Sequence, residues 1–340
     1  MNLKFKELNY LERIRNLSNC VLASLITLLF SCTQVPNSLQ ILQNDNLDSI
    51  PVWYLKTKDK GIQLYVKEQG IGDTLIVLHG GWGAEHSYLL DAFKDFEDTY
   101  HFVYYDQRGS LRSPVTGDSL ISPDKHVEDL ELLRKELGIE KLNLLCHSMG
   151  TWLGSYYLQQ YPDNVNSLTL LALTYPKSPS TENDKMLYKR SDSFFTIFKE
   201  RPEYKELLKK EGLVKDSLNN REASNKWRIS FASVNLYHLD KWKQMKGGMV
   251  FYNQKAGTAA GSRMPDEWDF ISTYKKTKIP VNVIMGSHDF SDMYGTKYRE
   301  WLKGIPNLKY VILNDAGHSS WIDQPEMFQS ELEKALQSIK

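Results

Sequence analysis

A serine, an aspartate and a histidine stand in this sequence at positions from which they could carry out nucleophilic catalysis. Ser148 lies in the run CHSMG, Asp289 follows the apolar run VNVIMG, and His318 follows the run KYVILN. A nucleophilic serine needs a base to accept its proton and an acid to orient that base. The chain order Ser, Asp, His therefore predicts acyl transfer with Ser148 as nucleophile, His318 as base and Asp289 as the orienting acid.

The stretch around Ser148 predicts a sharp turn from a strand into a helix. An apolar run, 142–145, precedes the serine, and an amphipathic pattern that includes Trp152 follows it. Such a turn needs small residues two positions to either side of the nucleophile. Gly150 meets that need, and Cys146 stands where glycine is usual. The alternative interpretation is that Ser148 is an ordinary helix N-cap.

A glycine-rich loop, HGGWG at 79–83, follows another apolar strand pattern. Glycines allow a backbone N–H group to approach a reacting carbonyl closely, so Gly81 or Trp82, together with Met149, is predicted to bind the oxyanion. The alternative is that the two glycines only turn the chain.

Other candidate acids and bases lie close to the predicted triad. Asp292 and Asp315 compete with Asp289 for the orienting role, and His288 stands beside Asp289. Three further histidines are interpreted as structural or loop residues: His79, His86 and His147. The spacing of histidines and carboxylates matches no metal-binding motif, and a Ser-His pair requires no metal, so no metal or cofactor is expected.

Strand and helix patterns alternate along the chain and predict a mostly parallel sheet covered by helices. An antiparallel hairpin is predicted first, at 52–70. The later predicted strands are 74–81, 101–109, 166–176, 279–289 and 308–318, and the predicted helices are 88–96, 122–138, 298–302 and one from 325 onward. Ser122 and Pro123 are expected at the N-cap and first turn of their helix.

The patterns divide the chain into five predicted segments. These are an export signal at 1–31, a polar tether at 32–51, a first core segment at 52–175, a helical cap at 176–270 and a second core segment at 271–340. The cap is predicted where the strand-helix alternation stops and the sequence becomes polar and rich in aromatic residues.

The N-terminus has the parts of an export signal. Basic residues between Lys4 and Arg15 precede an apolar run at 21–30, which is too short to span a bilayer comfortably. LFSC at 29–32 resembles the lipobox of bacterial lipoproteins, which predicts lipidation of Cys32 and a membrane-anchored protein facing the periplasm or cell surface. The alternatives are a plain secretory signal, a short N-terminal anchor, or a cytosolic protein with an apolar leader.

Composition excludes some classes of function. The 340 residues carry a formal net charge of zero and 41% hydrophobic residues, and no basic run is present. Nucleic-acid binding needs clustered Lys and Arg, so no nucleic-acid partner is expected. A small-molecule or short-peptide substrate is expected instead, and the oligomeric state is left open. The three cysteines form no convincing disulfide framework.

Five motifs together resemble the α/β-hydrolase superfamily: HGGWG, DQRGSLRS, CHSMG, GSHD and AGH. The DQRG run is most similar to the proline iminopeptidase branch. The resemblance implies a mostly parallel sheet flanked by helices, with a helical cap inserted after the sixth strand. It also implies removal of an N-terminal residue, preferentially proline, with a triad at Ser148, Asp289 and His318. Asp106 and Arg108 then brace the loops.

The substrate is less closely specified than the triad. Iminopeptidase caps carry glutamates that bind the free amine of the substrate, whereas the comparable stretch 225–233 has no acid. An ammonium group in an apolar cavity needs a carboxylate partner, which Asp240, Asp266 or Glu267 would have to provide. The leading prediction is a prolyl aminopeptidase. The alternatives are an esterase or another small-acyl hydrolase, and a non-catalytic protein that binds a ligand beneath its cap.

Overall fold

The computed structural model describes the backbone of residues 51–339, and the side chains of these residues except 191, 192, 194, 195 and 249. The predicted export signal, Cys32 and all but the last residue of the predicted tether lie outside the described residues. No helix within 51–339 has the length and apolar character that crossing a membrane requires.

An eight-stranded sheet forms the centre of the described chain. In spatial order its strands are β1-β2-β4-β3-β5-β6-β7-β8. The pairs β1–β2 and β2–β4 are antiparallel, and the remaining pairs are parallel, which confirms the predicted mostly parallel sheet. The strands are β1 Val52–Lys56, β2 Gln63–Gly70, β3 Asp73–Leu78, β4 Tyr100–Tyr105, β5 Leu142–His147, β6 Val165–Leu171, β7 Val281–Gly286 and β8 Leu308–Leu313.

Helices connect the strands and cover both faces of the sheet. The α-helices are α1 Leu90–Phe93, α2 Pro123–Glu136, α3 Met149–Gln160, α4 Glu182–Ile197, α5 Pro202–Lys210, α6 Asn220–Asn235, α7 Gln254–Gly261, α8 Phe270–Lys276, α9 Thr296–Leu302, α10 Ser320–Asp323 and α11 Pro325–Gln337. Short 3-10 helices lie at His86–Leu89, Lys94–Phe96, Asp118–Leu120, Pro162–Asn164, Phe198–Glu200, Leu239–Gln244, Gly248–Phe251 and Met293–Gly295.

The apolar runs of the central strands supply two hydrophobic cores, one on each face of the sheet. In β3, Leu75 and Val77 belong to one core, whereas Ile76 and Leu78 belong to the other. Helices α2, α3, α8 and α9 pack into the second of these cores, and α1 and α11 pack into the first. A strand that is buried on both faces needs an uninterrupted apolar sequence, which explains the pattern that predicted these strands.

The start of α2 follows the sequence prediction closely. Ser122 is the N-cap and accepts a hydrogen bond from Lys125 N, while Pro123 occupies the first helical position. Capping of this kind satisfies one of the free N–H groups at a helix start and stabilises the helix by about 1 kcal/mol.

Several predicted elements differ from the structure in length or continuity, and strands β3, β4, β7 and β8 end three to five residues before their predicted ends. β6 ends at Leu171, five residues before the predicted end, because Ala172 and Tyr175 adopt φ angles of 53° and 49°, which an extended strand does not allow. The helix predicted at 88–96 is a 3-10 turn, the single-turn helix α1 and a second 3-10 turn. The apolar residues that follow β6 form a loop at the carboxyl edge of the sheet.

The segment between β6 and β7 docks on the C-terminal part of the chain through Asp323. The carboxylate of Asp323 accepts hydrogen bonds from Tyr237 N, His238 N and Gly317 N. Ser319 N also donates to the carbonyl of Asn235, the last residue of α6. The loop that carries His318 is therefore held between α6 and α10.

Candidate active site

Ser148 occupies a strained turn between β5 and α3. Its φ of 54° and ψ of −126° lie outside the regions that non-glycine residues normally adopt, and its side chain makes no capping hydrogen bond. The simple N-cap interpretation therefore does not apply. Backbone strain of this size costs about 1–3 kcal/mol and occurs mainly at functional sites.

Close backbone contacts explain the small residues around Ser148. A Cβ atom on Gly150 would lie 2.2 Å from the Leu78 carbonyl oxygen, and one on Gly80 would lie 2.6 Å from Ser148 Cβ. Cys146 is tolerated because its side chain fits over Gly154, where an added Cβ would come within 2.5 Å of Sγ. The turn can form only if β3 and the start of α3 approach this closely.

His318 and Asp289 are joined as the triad prediction expects. The His318 ring nitrogen Nδ1 lies 2.9 Å from Asp289 Oδ2, and both side chains are buried. Ser291 donates to the other carboxylate oxygen from its backbone N and its Oγ, at 2.9 and 2.7 Å. Burial alone would raise the pKa of Asp289, but His318 and the hydrogen bonds outweigh it and hold this pKa below its ordinary value.

Of the competing acids, the Asp292 carboxylate has another partner and Asp315 is exposed. Asp292 Oδ2 accepts a hydrogen bond from Tyr298 N, and Asp315 N donates to Ser287 Oγ. His288 packs against the Tyr237 ring, with 4.3 Å between ring centroids. Among these residues, only Asp289 contacts the imidazole of His318.

Ser148 and His318 line one cavity of about 220 Å³ beneath the helices that follow β6. No hydrogen bond joins Ser148 Oγ to His318 in the described part of the chain. Catalytic hydrogen bonds are commonly long or poorly aligned before substrate binds. The structure thus brings the two side chains to the same cavity without bonding them to each other.

Two of the three predicted oxyanion donors reach this cavity. Gly81 and Met149 line it, and within residues 51–339 the backbone N–H of neither residue donates a hydrogen bond. Met149 is the first residue of α3, so its N–H has no partner inside the helix. Trp82 is not a lining residue, and its ring packs edge-to-face on Trp152 at 5.6 Å.

A chain of hydrogen bonds ties the glycine-rich loop to the His318 loop. Gly80 N donates to the Tyr88 hydroxyl at 2.7 Å, Tyr88 lies 2.6 Å from His147 Nδ1, and His147 Nε2 lies 3.1 Å from the His318 carbonyl oxygen. We refer to this series of hydrogen bonds as the Tyr88–His147 relay.

The protons of the Tyr88–His147 relay can be assigned from its chemistry. Burial, with a smaller effect of His318, lowers the pKa of His147 to about 3, so its ring is neutral near neutral pH and carries one N–H. A carbonyl oxygen only accepts, so that proton must be on Nε2. Tyr88 must then donate to Nδ1. His147 is consequently a structural residue that orients the loop of the predicted base.

The DQRG loop is fixed by buried charges outside the cavity. The guanidinium of Arg108 binds both carboxylate oxygens of Asp129 at 2.6 Å and also contacts Asp59 at 2.9 Å. Asp106 Oδ1 lies 2.6 Å from His86 Nδ1. Neither Asp106 nor Arg108 lines the cavity, and their contacts are those of residues that brace loops.

Glu85, His86 and Asp106 form a buried group whose oxygen and nitrogen atoms are close enough to bind a metal ion. Protein partners already occupy these atoms. Arg112 Nη1 lies 2.7 Å from Glu85 and 3.4 Å from Asp106, and Ser87 donates twice to Glu85. The atoms that could bind a metal ion are therefore engaged by groups of the protein itself.

The charged side chains that line the cavity are both basic. They are Arg228 and Lys246, and none of the described lining residues is an aspartate or glutamate. The three acids considered as amine-binding partners, Asp240, Asp266 and Glu267, are exposed and do not line the cavity. The aromatic and aliphatic lining includes Phe231, Met245, Val250 and Phe290.

Sequence reasoning did not identify four residues that contribute to this site: Tyr88, Ser291, Arg228 and Asp323. Ser291 had a signal, because an aspartate followed two residues later by serine commonly forms a local side chain–backbone turn. Tyr88, Arg228 and Asp323 had none, since each contacts partners that are distant along the chain.

Comparison with known proteins places this site in a family context. The sequence profile of the α/β-hydrolase fold family matches residues 73–325. A proline iminopeptidase of Lactobacillus helveticus is 25% identical over 282 residues, covering 80% of this chain and 92% of the relative. A crystal structure of a proline iminopeptidase-related protein of Thermus thermophilus has a TM-score of 0.60 at 24% identity, covering 85% and 97% of the two chains. A thermophilic esterase of Thermogutta terrifontis has a TM-score of 0.58 at 20% identity, covering 85% and 98%.

Proposed function

Because this chain belongs to the α/β-hydrolase family, and resembles its proline iminopeptidase branch, we propose that it is a serine hydrolase acting through an acyl-enzyme at Ser148. The observation that carries the proposal is the strained conformation of Ser148 in a cavity that it shares with the Asp289-bound His318. The proposed substrate is a small acyl compound without a free ammonium group, and an ester is the simplest case.

In the proposed first step, Ser148 Oγ attacks the substrate carbonyl while its proton passes to His318 Nε2. This requires a Ser148–His318 hydrogen bond to form when substrate fills the cavity. The Asp289 carboxylate then stabilises the imidazolium through the Nδ1 contact of 2.9 Å. The free N–H groups of Gly81 and Met149 bind the oxyanion, and each such donor contributes about 3–4 kcal/mol of transition-state stabilisation.

The imidazolium next transfers its proton to the leaving group, and the bond between this group and the carbonyl carbon breaks. Water then attacks the acyl-enzyme while His318 accepts its proton. The bond between the acyl carbon and Ser148 Oγ breaks, His318 returns the proton to Oγ, and the acyl group leaves as a carboxylic acid. The overall reaction consumes one water and requires no redox partner.

The charge of the cavity supports a substrate without a free ammonium group. A buried ammonium requires a carboxylate partner, whereas the described lining provides two basic side chains and no acid. The volume of about 220 Å³ lies below the range of roughly 300–1,000 Å³ for drug-sized ligands. A short acyl chain or a small ring is therefore the proposed occupant.

Prolyl aminopeptidase activity, the leading prediction from sequence, stays the second candidate. It is favoured by the curated relatives, which include proline iminopeptidases with 24–25% identity over about four fifths of this chain. Under this alternative, an acid outside the described cavity lining would have to bind the amine.

Covalent labelling tests the proposal. A fluorophosphonate probe should label the full-length protein at Ser148, as located by mass spectrometry, and 4-nitrophenyl acetate should show a burst of product release. Proline 4-nitroanilide, measured in parallel, distinguishes the second candidate. Absence of both labelling and turnover would favour the non-catalytic ligand-binding alternative.

A matched pair of serine variants provides the control. Ser148→Ala should abolish labelling and turnover with little change in melting temperature, because the side chain makes no hydrogen bond that stabilises the fold. Ser119→Ala, at an exposed position, should leave both unchanged. Residual turnover in Ser148→Ala above a few per cent of wild type would contradict Ser148 as the nucleophile.

A further inference from the structure

We infer that Arg228 forms an anion-binding subsite, so that the compounds hydrolysed at Ser148 carry a carboxylate; this inference rests on the proposed function. The inference is based on the guanidinium of Arg228, which lines a largely apolar cavity and has no carboxylate partner in the described part of the chain. The inference specifies the substrate class that the proposed reaction leaves open.

Arg228 reaches the cavity from α6. Arg228, Phe231 and Asn235 all line the cavity, and their spacing of three and four residues places them on one face of the helix. Seven residues correspond to two helical turns, so Arg228 lies about 10 Å along the helix axis from Asn235. Asn235 accepts a hydrogen bond from Ser319 N, directly beside His318. The same helix face thus extends from the predicted base to the guanidinium.

The protein uses only part of the hydrogen-bonding capacity of Arg228. Nη2 donates to the Met245 carbonyl at 3.0 Å, and the guanidinium lies 5.2 Å from the centroid of the Trp242 ring. A guanidinium has five N–H donors, and no described carboxylate forms an ion pair with this one. The remaining donors match the geometry of a carboxylate, which can bind a guanidinium with two parallel hydrogen bonds.

Lys246, the other basic lining residue, is already neutralised. Its Nζ lies 2.6 Å from Asp91 Oδ2, and both side chains are more than half exposed. An anion in the cavity would gain little from an exposed, paired ammonium. The guanidinium of Arg228, by contrast, is partly buried and has no described carboxylate partner, so a carboxylate bound there would offset its partial desolvation.

Two matched ester pairs test the inference in the full-length protein. The first pair is 3-acetoxybenzoate and its neutral amide, 3-acetoxybenzamide, which place the charge on the leaving group. The second is mono-4-nitrophenyl adipate and its methyl ester, which place the charge on the acyl chain. In at least one pair, kcat/KM should be about ten- to a hundredfold higher for the anionic member, as expected for a charge-assisted hydrogen bond.

Variants assign that preference to a residue. Arg228→Gln should reduce the ratio of anionic to neutral kcat/KM to below about threefold, and Arg228→Lys should retain part of it, because it keeps the charge but loses the paired geometry. Arg221→Gln removes an exposed charge from the same helix and should keep the wild-type ratio. A wild type without a preference in either pair, or an unchanged ratio in Arg228→Gln, would overturn the inference. So would loss of the ratio in Lys246→Met but not in Arg228→Gln.

A binding measurement separates this inference from the proposed hydrolase activity. Calorimetry with Ser148→Ala protein should show at least tenfold tighter binding of the anionic compound in at least one of two pairs, 3-hydroxybenzoate with 3-hydroxybenzamide and monomethyl adipate with dimethyl adipate. A second substitution, Arg228→Gln, should remove the difference. If wild type neither reacts with fluorophosphonate nor hydrolyses any ester, but this difference is observed, the anion subsite stands and the proposed catalysis fails. Equal binding within both pairs would refute the subsite, whether or not esters are hydrolysed.

Discussion

Replacement of Tyr88 by phenylalanine removes one hydroxyl from the Tyr88–His147 relay and leaves two partners without hydrogen bonds. In the wild type, Gly80 N donates to this hydroxyl at 2.7 Å, and the hydroxyl donates to His147 Nδ1 at 2.6 Å. An unpaired buried donor or acceptor costs about 1–3 kcal/mol, and water that enters from the cavity can satisfy one of the two groups. We therefore expect Tyr88→Phe to lower the free energy of unfolding by about 1–3 kcal/mol.

The same substitution should slow catalysis more than it weakens substrate binding. Gly80 directly precedes Gly81, the proposed oxyanion donor, and His147 directly precedes Ser148. Complete loss of an oxyanion donor reduces kcat by about a hundred- to a thousandfold. Tyr88→Phe loosens this donor without removing it, so we expect kcat for 4-nitrophenyl acetate to fall by about tenfold, with KM changed less than threefold.

Tyr104→Phe is the matched control for this experiment. The hydroxyl of Tyr104 is buried and has no hydrogen-bond partner among residues 51–339, so its removal leaves no group unpaired. Stability should change by less than about 0.5 kcal/mol, and kcat should not change. Denaturant unfolding and steady-state kinetics measure the two quantities. Equal kinetic effects in both variants, or a Tyr88→Phe defect confined to KM, would refute the role assigned to the relay.

Three further predictions concern other parts of the chain. Cys146→Gly removes a buried side chain from β5 and should lower the free energy of unfolding by about 1–3 kcal/mol while turnover persists; unfolding at room temperature would contradict this. Glu131 has its pKa lowered from 4.5 to about 2, chiefly by the hydrogen bond from Arg134, so its stabilisation is present above pH 4.5 and is lost as pH falls towards 2. Glu131→Gln should accordingly destabilise the protein by about 1–3 kcal/mol at neutral pH, and denaturant unfolding should show this difference shrinking between pH 4.5 and 2. Cys32→Ala should release the protein from the membrane fraction if Cys32 is the lipidated residue, and continued membrane retention would indicate a plain anchor.

The sheet was predictable because its central strands are buried on both faces and therefore carry uninterrupted apolar sequences. That pattern indicates where a strand lies but not where it ends. The apolar run after β6 continues through Leu173, although the strand stops at Leu171, because the positive φ of Ala172 turns the following residues towards the cavity. Alanine gives no warning of such a conformation, whereas a glycine at the same position would have done so.

The predicted triad residues were identifiable because each follows a strand and all emerge at one edge of a parallel sheet. Tyr88 could not be identified in this way. It acts through His147, 59 positions later in the chain, and its place on a short 3-10 turn has no periodic pattern. The position of Arg228 in the cavity lining could not be predicted from the sequence either, because a helix of polar composition does not indicate which of its faces covers a cavity. Only the docking of α6 on the His318 loop determines this.

The docking of α6 links the proposed substrate subsite to the predicted base. Arg228 and Asn235 lie on one helix, and the Asn235 carbonyl accepts a hydrogen bond from Ser319 N. Just beyond the helix, the Asp323 carboxylate accepts hydrogen bonds from Tyr237 N and His238 N, and also from Gly317 N in the His318 loop. A Cβ on Gly317 would lie 2.5 Å from the Asn235 carbonyl oxygen, so this contact tolerates no larger residue without movement. A carboxylate that binds Arg228 therefore contacts the same helix whose last residue, Asn235, holds the His318 loop. Binding of the substrate carboxylate at Arg228, two helical turns from Asn235, can in this way stabilise the position of the His318 imidazole, which must approach Ser148. Such stabilisation would raise kcat as well as lower KM for anionic substrates.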